Sequence, residues 1–343
     1  MKKIIALVCA LMLVLSAASF ALADDVPTLT ISTWAANLDT ITANVFTPFE
    51  EANNCKIIVD AGNNAARLGK LQENPDAYDI VYFSDLYVKR ALEQDLFLPF
   101  DQSKVAGIED LYEFCQNPND GYGPGYTVTG FGILYNPADV EEPLTSWAQL
   151  WEGDVASMLA LPDITVTSGP YMIEVAGKVA GVNPAEDDDP AFAKIKELSE
   201  NGAIFYSGSA DLIAKFEQGE VSVAVCQDFD ASTIRAAVEG LEYVIVPAEG
   251  SYLGINQVNI TKASKNVDLA YKFIEWLISY DVQYQDALDK VEAPANVKVE
   301  LTAEQADGMC YGDAVKISDA PNWALYSEKN AEWIERYNEE IYQ

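Results

Sequence analysis

The chain has 343 residues, half of them hydrophobic, with 21 Lys and Arg against 54 Asp and Glu, a formal net charge of −33, and no histidine. So acidic a surface repels nucleic acid and anionic lipid and draws cations. The missing histidine removes the commonest general base, the commonest metal ligand and every Ser-His or Cys-His nucleophile. That weighs against an enzyme, and no cofactor or metal site is expected.

In chain order, the first feature is a leader. Lys2 and Lys3 precede an apolar stretch over 4–15 and the small-residue ending Ala21-Leu22-Ala23, the three parts of a secretory signal peptide cut after residue 23. Cys9 lies inside the apolar stretch, which argues against acylation. The chain is expected to be exported, without a transmembrane anchor. Cys55, Cys115, Cys226 and Cys310 follow the leader with no C-x-x-C pair, so scattered thiols or one structural bridge are expected rather than a zinc site.

Beyond the leader, β-rich runs at 29–33, 56–60 and 79–83 alternate with helical patterns at 46–52, 65–72 and 86–94. This rhythm predicts a mainly parallel sheet covered by helices. After the glycine- and proline-rich stretch 117–125 a second series begins. It has strands at 130–135 and 158–161 and helices at 171–180 and 191–200. Next come a helix at 210–218 capped by Ser209 and stopped at Gly219, and a buried strand at 221–226. One long helix is predicted over 267–288 with Asn266 as its cap. The acidic run 186–189 reads as a solvated loop.

Two such series predict two lobes. Ligands of open α/β sheets bind beyond the carboxyl ends of the strands, so the residues following each strand are the candidates. They are Trp34 after the first strand, and Ser84 and Asp85 after the third. In the second series they are Thr167 and Ser168 in a glycine-containing turn, Asp228 and Asp230 around Phe229, and Tyr252 and Asn256 further on. Aromatic faces and carboxylates together suit an amine. Trp34 and Tyr252 are expected as walls and Asp85, Asp228 and Asp230 as anchors. Ser84, Thr167, Ser168 and Asn256 would supply neutral hydrogen bonds.

At these residues the sequence resembles bacterial extracellular solute-binding proteins of ABC importers, in particular the spermidine/putrescine-binding family. The resemblance is carried by Ser32-Thr33-Trp34, Tyr78-Asp79-Ile80-Val81 with Ser84, and Thr145-Ser146-Trp147-Ala148-Gln149-Leu150-Trp151. Phe216-Glu217-Gln218-Gly219-Glu220-Val221, Val246-Pro247-Ala248-Glu249-Gly250 and Ala270-Tyr271-Lys272-Phe273-Ile274 follow in the same order. It implies a two-lobed α/β fold of the type II periplasmic-binding-protein kind, with the ligand cleft between the lobes and hinge closure onto a solute that is handed to a membrane permease. The first lobe would span 24–130 with a return segment at about 256–297. The second would span 131–255 with a C-terminal segment at about 298–343, in a monomer. The resemblance places Trp34 and Ser84 beside the ligand. It departs from the polyamine pattern at Leu86, at Gln227 and at Gly254-Ile255-Asn256, where aromatic or acidic residues would stand. A cationic or zwitterionic amine is therefore weighed against an opine-like, thiamine-like, phosphonate or ferric-chelate ligand. A carboxylate-based hydrolase is the alternative of another class.

Overall fold

The computed structural model describes residues 26–342, so the leader expected at 1–23 lies outside the described residues. The first three strands, β1 (Thr28–Thr33), β2 (Lys56–Ala61) and β3 (Ile80–Ser84), are parallel, with β1 in the middle. Helices α1 (Thr47–Asn53) and α2 (Asn64–Glu73) make the crossovers, and α3 (Asp85–Leu92) starts at the residue after β3. The period-two alternation of β3 splits its side chains between two cores. Ile80 and Tyr82 join one cluster with Phe49, Val258 and Phe273, and Val81 and Phe83 join the other with Leu71 and Phe97.

The second lobe repeats the plan. β4 (Gly125–Tyr135) is buried along its whole length. It is followed by β5 (Leu159–Pro162), α4 (Gly169–Ala180), α5 (Asp189–Glu200), β6 (Ile204–Tyr206), α6 (Ser209–Glu217), β7 (Val223–Gln227), α7 (Asp228–Ala237), β8 (Glu242–Val244) and β9 (Tyr252–Ile260). β5 is parallel to both β6 and β7. Parallel pairing is thus a property of the outer strands. The centre is antiparallel, where β9 lies between β3 and β4, and β4 between β9 and β7.

β4 and β9 belong to both lobes. In β9, residues 256–260 pair with β3 and residues 252–257 with β4; in β4, residues 131–135 pair with β7. Two adjacent strands therefore carry the chain from one core to the other, and the strand ends of both lobes meet beside them.

The predicted helix 267–288 is two helices, α8 (Val267–Leu277) and α9 (Tyr280–Leu288). Ser279 breaks it. Its backbone is extended (ψ 154°) and its hydroxyl donates to the Trp276 carbonyl at 2.6 Å, the local competition by which serine interrupts helices. Asn266 stands at the N-cap of α8 as expected, but its side chain makes no capping bond; its amide donates to the Thr28 carbonyl. Gly219 does end α6, with φ +67°. The strand expected from 130 begins five residues earlier, and β10 (Ala293–Pro294) adds a short pairing to it. Among the described residues, the four cysteines are free and buried.

The tail after β10 had no reading from periodicity. Met309, Cys310 and Val315 pack in the first lobe's core, after which α10 (Trp323–Arg336) buries Tyr326 and Trp333 in the second lobe's core. Asp188, expected in a solvated loop, holds this helix down. It accepts from the Trp333 indole N–H at 2.8 Å and from the Arg336 guanidinium at 2.7 Å. Replacing Asp188 with Ala leaves a buried indole donor and a guanidinium short of a partner. A loss of about 2 kcal/mol is expected, seen as a lower urea midpoint with an unchanged denaturant slope.

Candidate functional site

The cleft forms because each flanking strand stays apolar up to its last residue and then gives way to polar residues that start a helix. β3 ends at Ser84 and α3 begins with Asp85; β7 ends at Gln227 and α7 begins with Asp228. Pairing fixes their neighbours. Ser84 lies opposite Asn256, Asn256 opposite Thr127, Gly254 opposite Thr129, and Gln227 opposite Phe131.

Two adjoining hollows result, with Thr129 on the wall of both. The first is lined by Ser84, Asp85, Thr129, Thr167, Tyr171, Gln227, Gly254, Ile255, Asn256 and Trp323. Both lobes contribute, and they touch across it: the Ser84 and Thr167 hydroxyls are 3.4 Å apart, and the Asn64 amide donates to each, at 3.1 and 3.4 Å. A Cβ at Gly254 would lie 2.9 Å from the Tyr171 hydroxyl and 3.1 Å from Thr129 Oγ1, so glycine keeps this hollow open. The second is lined by Val128, Thr129, Asp228, Phe229, Ser232, Lys290, Val291, Glu292, Ala293 and Met309.

Of the residues singled out from the sequence, Ser84, Asp85, Thr167 and Asn256 come together in the first hollow, and Asp228 lies in the second. The others line neither. Trp34 is half-buried against Tyr82 and Tyr126, with the Arg67 guanidinium 5.0 Å from its ring. Ser168 is buried at the start of α4, and Tyr252 is buried in the second lobe's core with Lys178 over its ring. Asp230 is buried beneath α7, with one carboxyl oxygen lacking a partner. Residues absent from the sequence reading complete the walls: Thr129, Tyr171, Glu292 and Trp323, with Asn64 and Arg67 behind.

The acids fall into two kinds. Asp85 is already engaged on one side, where its oxygens accept from the Ile255 N–H at 2.9 Å and the Gln257 amide at 2.6 Å. Burial still pushes it up to about 6. Asp228 accepts the Cys310 and Phe229 N–H groups at 2.8 and 3.0 Å, and Glu292 accepts the Tyr126 hydroxyl at 2.9 Å. Burial raises Asp228 to about 7 and Glu292 to about 8. Lys290 shares their hollow but turns its ammonium to the carbonyls of Glu304, Gln305 and Asp307. Among the described residues no group of three or more His, Cys, Asp or Glu could hold a metal ion.

Two lobes, two crossing strands and a cleft walled by both lobes define a solute-binding protein of the type II periplasmic-binding fold. The chain belongs to the bacterial extracellular solute-binding protein family, whose model matches residues 44–309. The spermidine/putrescine-binding periplasmic protein of Salmonella typhimurium is 27% identical over 272 residues, 77% of this chain and 76% of that one. The Escherichia coli protein of the same name is 27% identical over 277 residues, 78% of each chain. Among solved structures, an ABC transporter chain from Clostridium perfringens is 34% identical, with a TM-score of 0.77 over 91% of this chain and 99% of that one. A spermidine/putrescine substrate-binding protein from Streptococcus pneumoniae, 23% identical, shares the fold with a TM-score of 0.76 over 92% and 99%. The family is extracellular, in agreement with the export expected from the leader. Among the described residues no helix is long and apolar enough to cross a membrane.

Buried acids whose folded-state pKa is raised stabilise the fold only while they stay protonated. The contribution is complete below about pH 4, the range of a free carboxyl, and is lost as pH rises through about 7 for Asp228 and Asp230 and about 8 for Glu292. Without ligand, the thermal midpoint is expected to fall between pH 5 and 8. Asp230→Asn should recover on the order of 2 kcal/mol at pH 8 and little at pH 4, measured by urea denaturation at both values.

Proposed function

We propose that this chain is the substrate-binding component of an ABC importer that captures a small cationic or zwitterionic amine by hinge closure and presents it to the permease. Its lobes comprise 24–130 with about 256–297, and 131–255 with about 298–343, of which Met309, Cys310 and Val315 pack against the first lobe; it acts as a monomer and without catalysis. The observation that carries the ligand class is the second hollow. Asp228 and Glu292 line it without an ion pair, its one lysine is committed to backbone carbonyls, and the aromatic Phe229 is part of its wall. Carboxylates in such a place favour an ammonium group, which attracts both the charges and the ring. Closure follows from contacts made only when the lobes meet, as at Ser84, Thr167 and Asn64, so that a solute bridging them draws the equilibrium to the closed form. The names of the curated relatives point to amines as well.

The test is a thermal-shift panel of mono- and diamines, amino acids, opines, thiamine compounds, phosphonates and ferric chelates. An amine at a hundredfold excess over its dissociation constant stabilises the fold by about 2.7 kcal/mol, a shift of several degrees. Glu292→Gln is expected to weaken that amine at least tenfold. Because an ammonium needs the ionised acids, wild-type affinity should rise from pH 6 to 8.5 by titration calorimetry. Stabilisation by an anion alone, indifferent to Glu292→Gln, contradicts the amine reading.

A further inference from the structure

The opposite end of the cleft has the reverse polarity. Asn64 is the first residue of α2, Ser84 immediately precedes α3, and Thr167 and Ser168 immediately precede α4, so the amino ends of three helices converge where Asn64, Ser84 and Thr167 touch. Neither Ser84 nor Ser168 turns its hydroxyl back to cap its own helix. Each helix brings partial positive charge to that point.

Behind it lies a full one. Arg67 is only 2% exposed, and its guanidinium is held by neutral oxygens: the Gly62 and Tyr82 carbonyls, Ser32 Oγ at 3.3 Å and Asn64 Oδ1 at 2.9 Å. It is flanked by the rings of Trp34 and Phe83, each 5.0 Å away. A buried guanidinium that no carboxylate touches is costly unless an anion completes the site. By holding the Asn64 carbonyl oxygen, Arg67 aims the Asn64 amide at Ser84 and Thr167. On the facing wall, the Asn256 side chain is 8% exposed, lines the hollow and has no hydrogen-bond partner among the described residues. Asp85 does not fill the vacancy, since its oxygens are turned to Ile255 and Gln257.

We propose that the Asn64–Ser84–Thr167 end of the cleft, charged by Arg67, receives a carboxylate of the solute, so that the solute is a zwitterion with an acid at this end and an amine at the Asp228–Glu292 end. This rests on the amine reading and narrows it: a linear amino acid matches both poles in charge, whereas a diamine brings a second cation to a positive one. Arg67 acts through Asn64 as a positioning residue. Asn64, Ser84, Thr167 and Asn256 touch the acid.

The experiment is calorimetric titration of the full mature protein with four four-carbon probes: 4-aminobutanoate, 1,4-diaminobutane, butylamine and butanoate. The amino acid is expected to bind at least tenfold tighter than the diamine. Asn64→Asp, which places a carboxylate at the acid pole, should cost the amino acid at least tenfold and improve the diamine relative to it. Arg67→Lys should weaken the amino acid while leaving butylamine within about twofold. If diamine and butylamine bind and the amino acid is no tighter, or if Asn64→Asp weakens all amines alike, the acid subsite is overturned and the amine reading stands. If butanoate binds and butylamine does not, the subsite stands and the amine reading falls. No binding by either carboxylate-bearing probe overturns the subsite.

Discussion

The molecule depends on the pairing of β4 with β9. Each strand is shared by two cores, so neither lobe closes its sheet without a strand that continues into the other. This explains the composition of both strands. An outer strand can alternate apolar and polar residues, but β4 is buried along all eleven of its positions, and Tyr252 to Ile260 is nearly so. It also explains why the cleft is built from residues hundreds of positions apart: Ser84, Thr129, Gln227 and Asn256 are neighbours because the register of three strand pairs makes them so. A strand pair with a packed lobe at each end is also the natural place for bending, since these two strands carry the chain between the lobes.

The electrostatics follow from the same placement. Helices that start directly after strands point their amino ends into the cleft, which supplies positive potential without a cationic side chain on its surface. The chain sets Arg67 behind this pole and gathers carboxyls at the far side of Thr129. Burial lifts those carboxyls out of their ordinary range. The strongly negative net charge plays a different part, raising the concentration of cations around the protein.

Much of the fold was legible because its signals are local. Short β-rich runs gave β1, β2 and β3, the unit stopped by Gly219 gave α6, although Gly208 and not Ser209 stands at its cap, and the rule that ligands lie beyond strand ends led to Ser84, Asp85, Thr167 and Asn256. What failed to show had non-local causes. The break at Ser279 leaves the apolar spacing of 267–288 intact, so periodicity runs through it. α10 is recognised by its burial of Trp333 and by Asp188, 145 positions away, which no window of sequence contains. Trp34 and Tyr252 have the residue type of a ligand wall but are claimed by packing. Arg67 and Asn64 follow the end of β2, where the same strand-end rule applies. There the half-exposed pattern of β2 offered no striking residue, and a buried arginine is not recognisable from sequence. Glu292 directly precedes β10, whose two residues of strand pairing are too short to read.

The account stands or falls on closure about β4 and β9. Because the four cysteines of the described chain are buried, spin labels can be placed at Ile58→Cys in the first lobe and Glu200→Cys in the second, and the distance between them measured by pulsed electron resonance with and without saturating 4-aminobutanoate. The account predicts a broad ligand-free distribution that collapses onto its shortest component when the solute is added. An identical distribution under both conditions, with binding confirmed on the same sample, would contradict it.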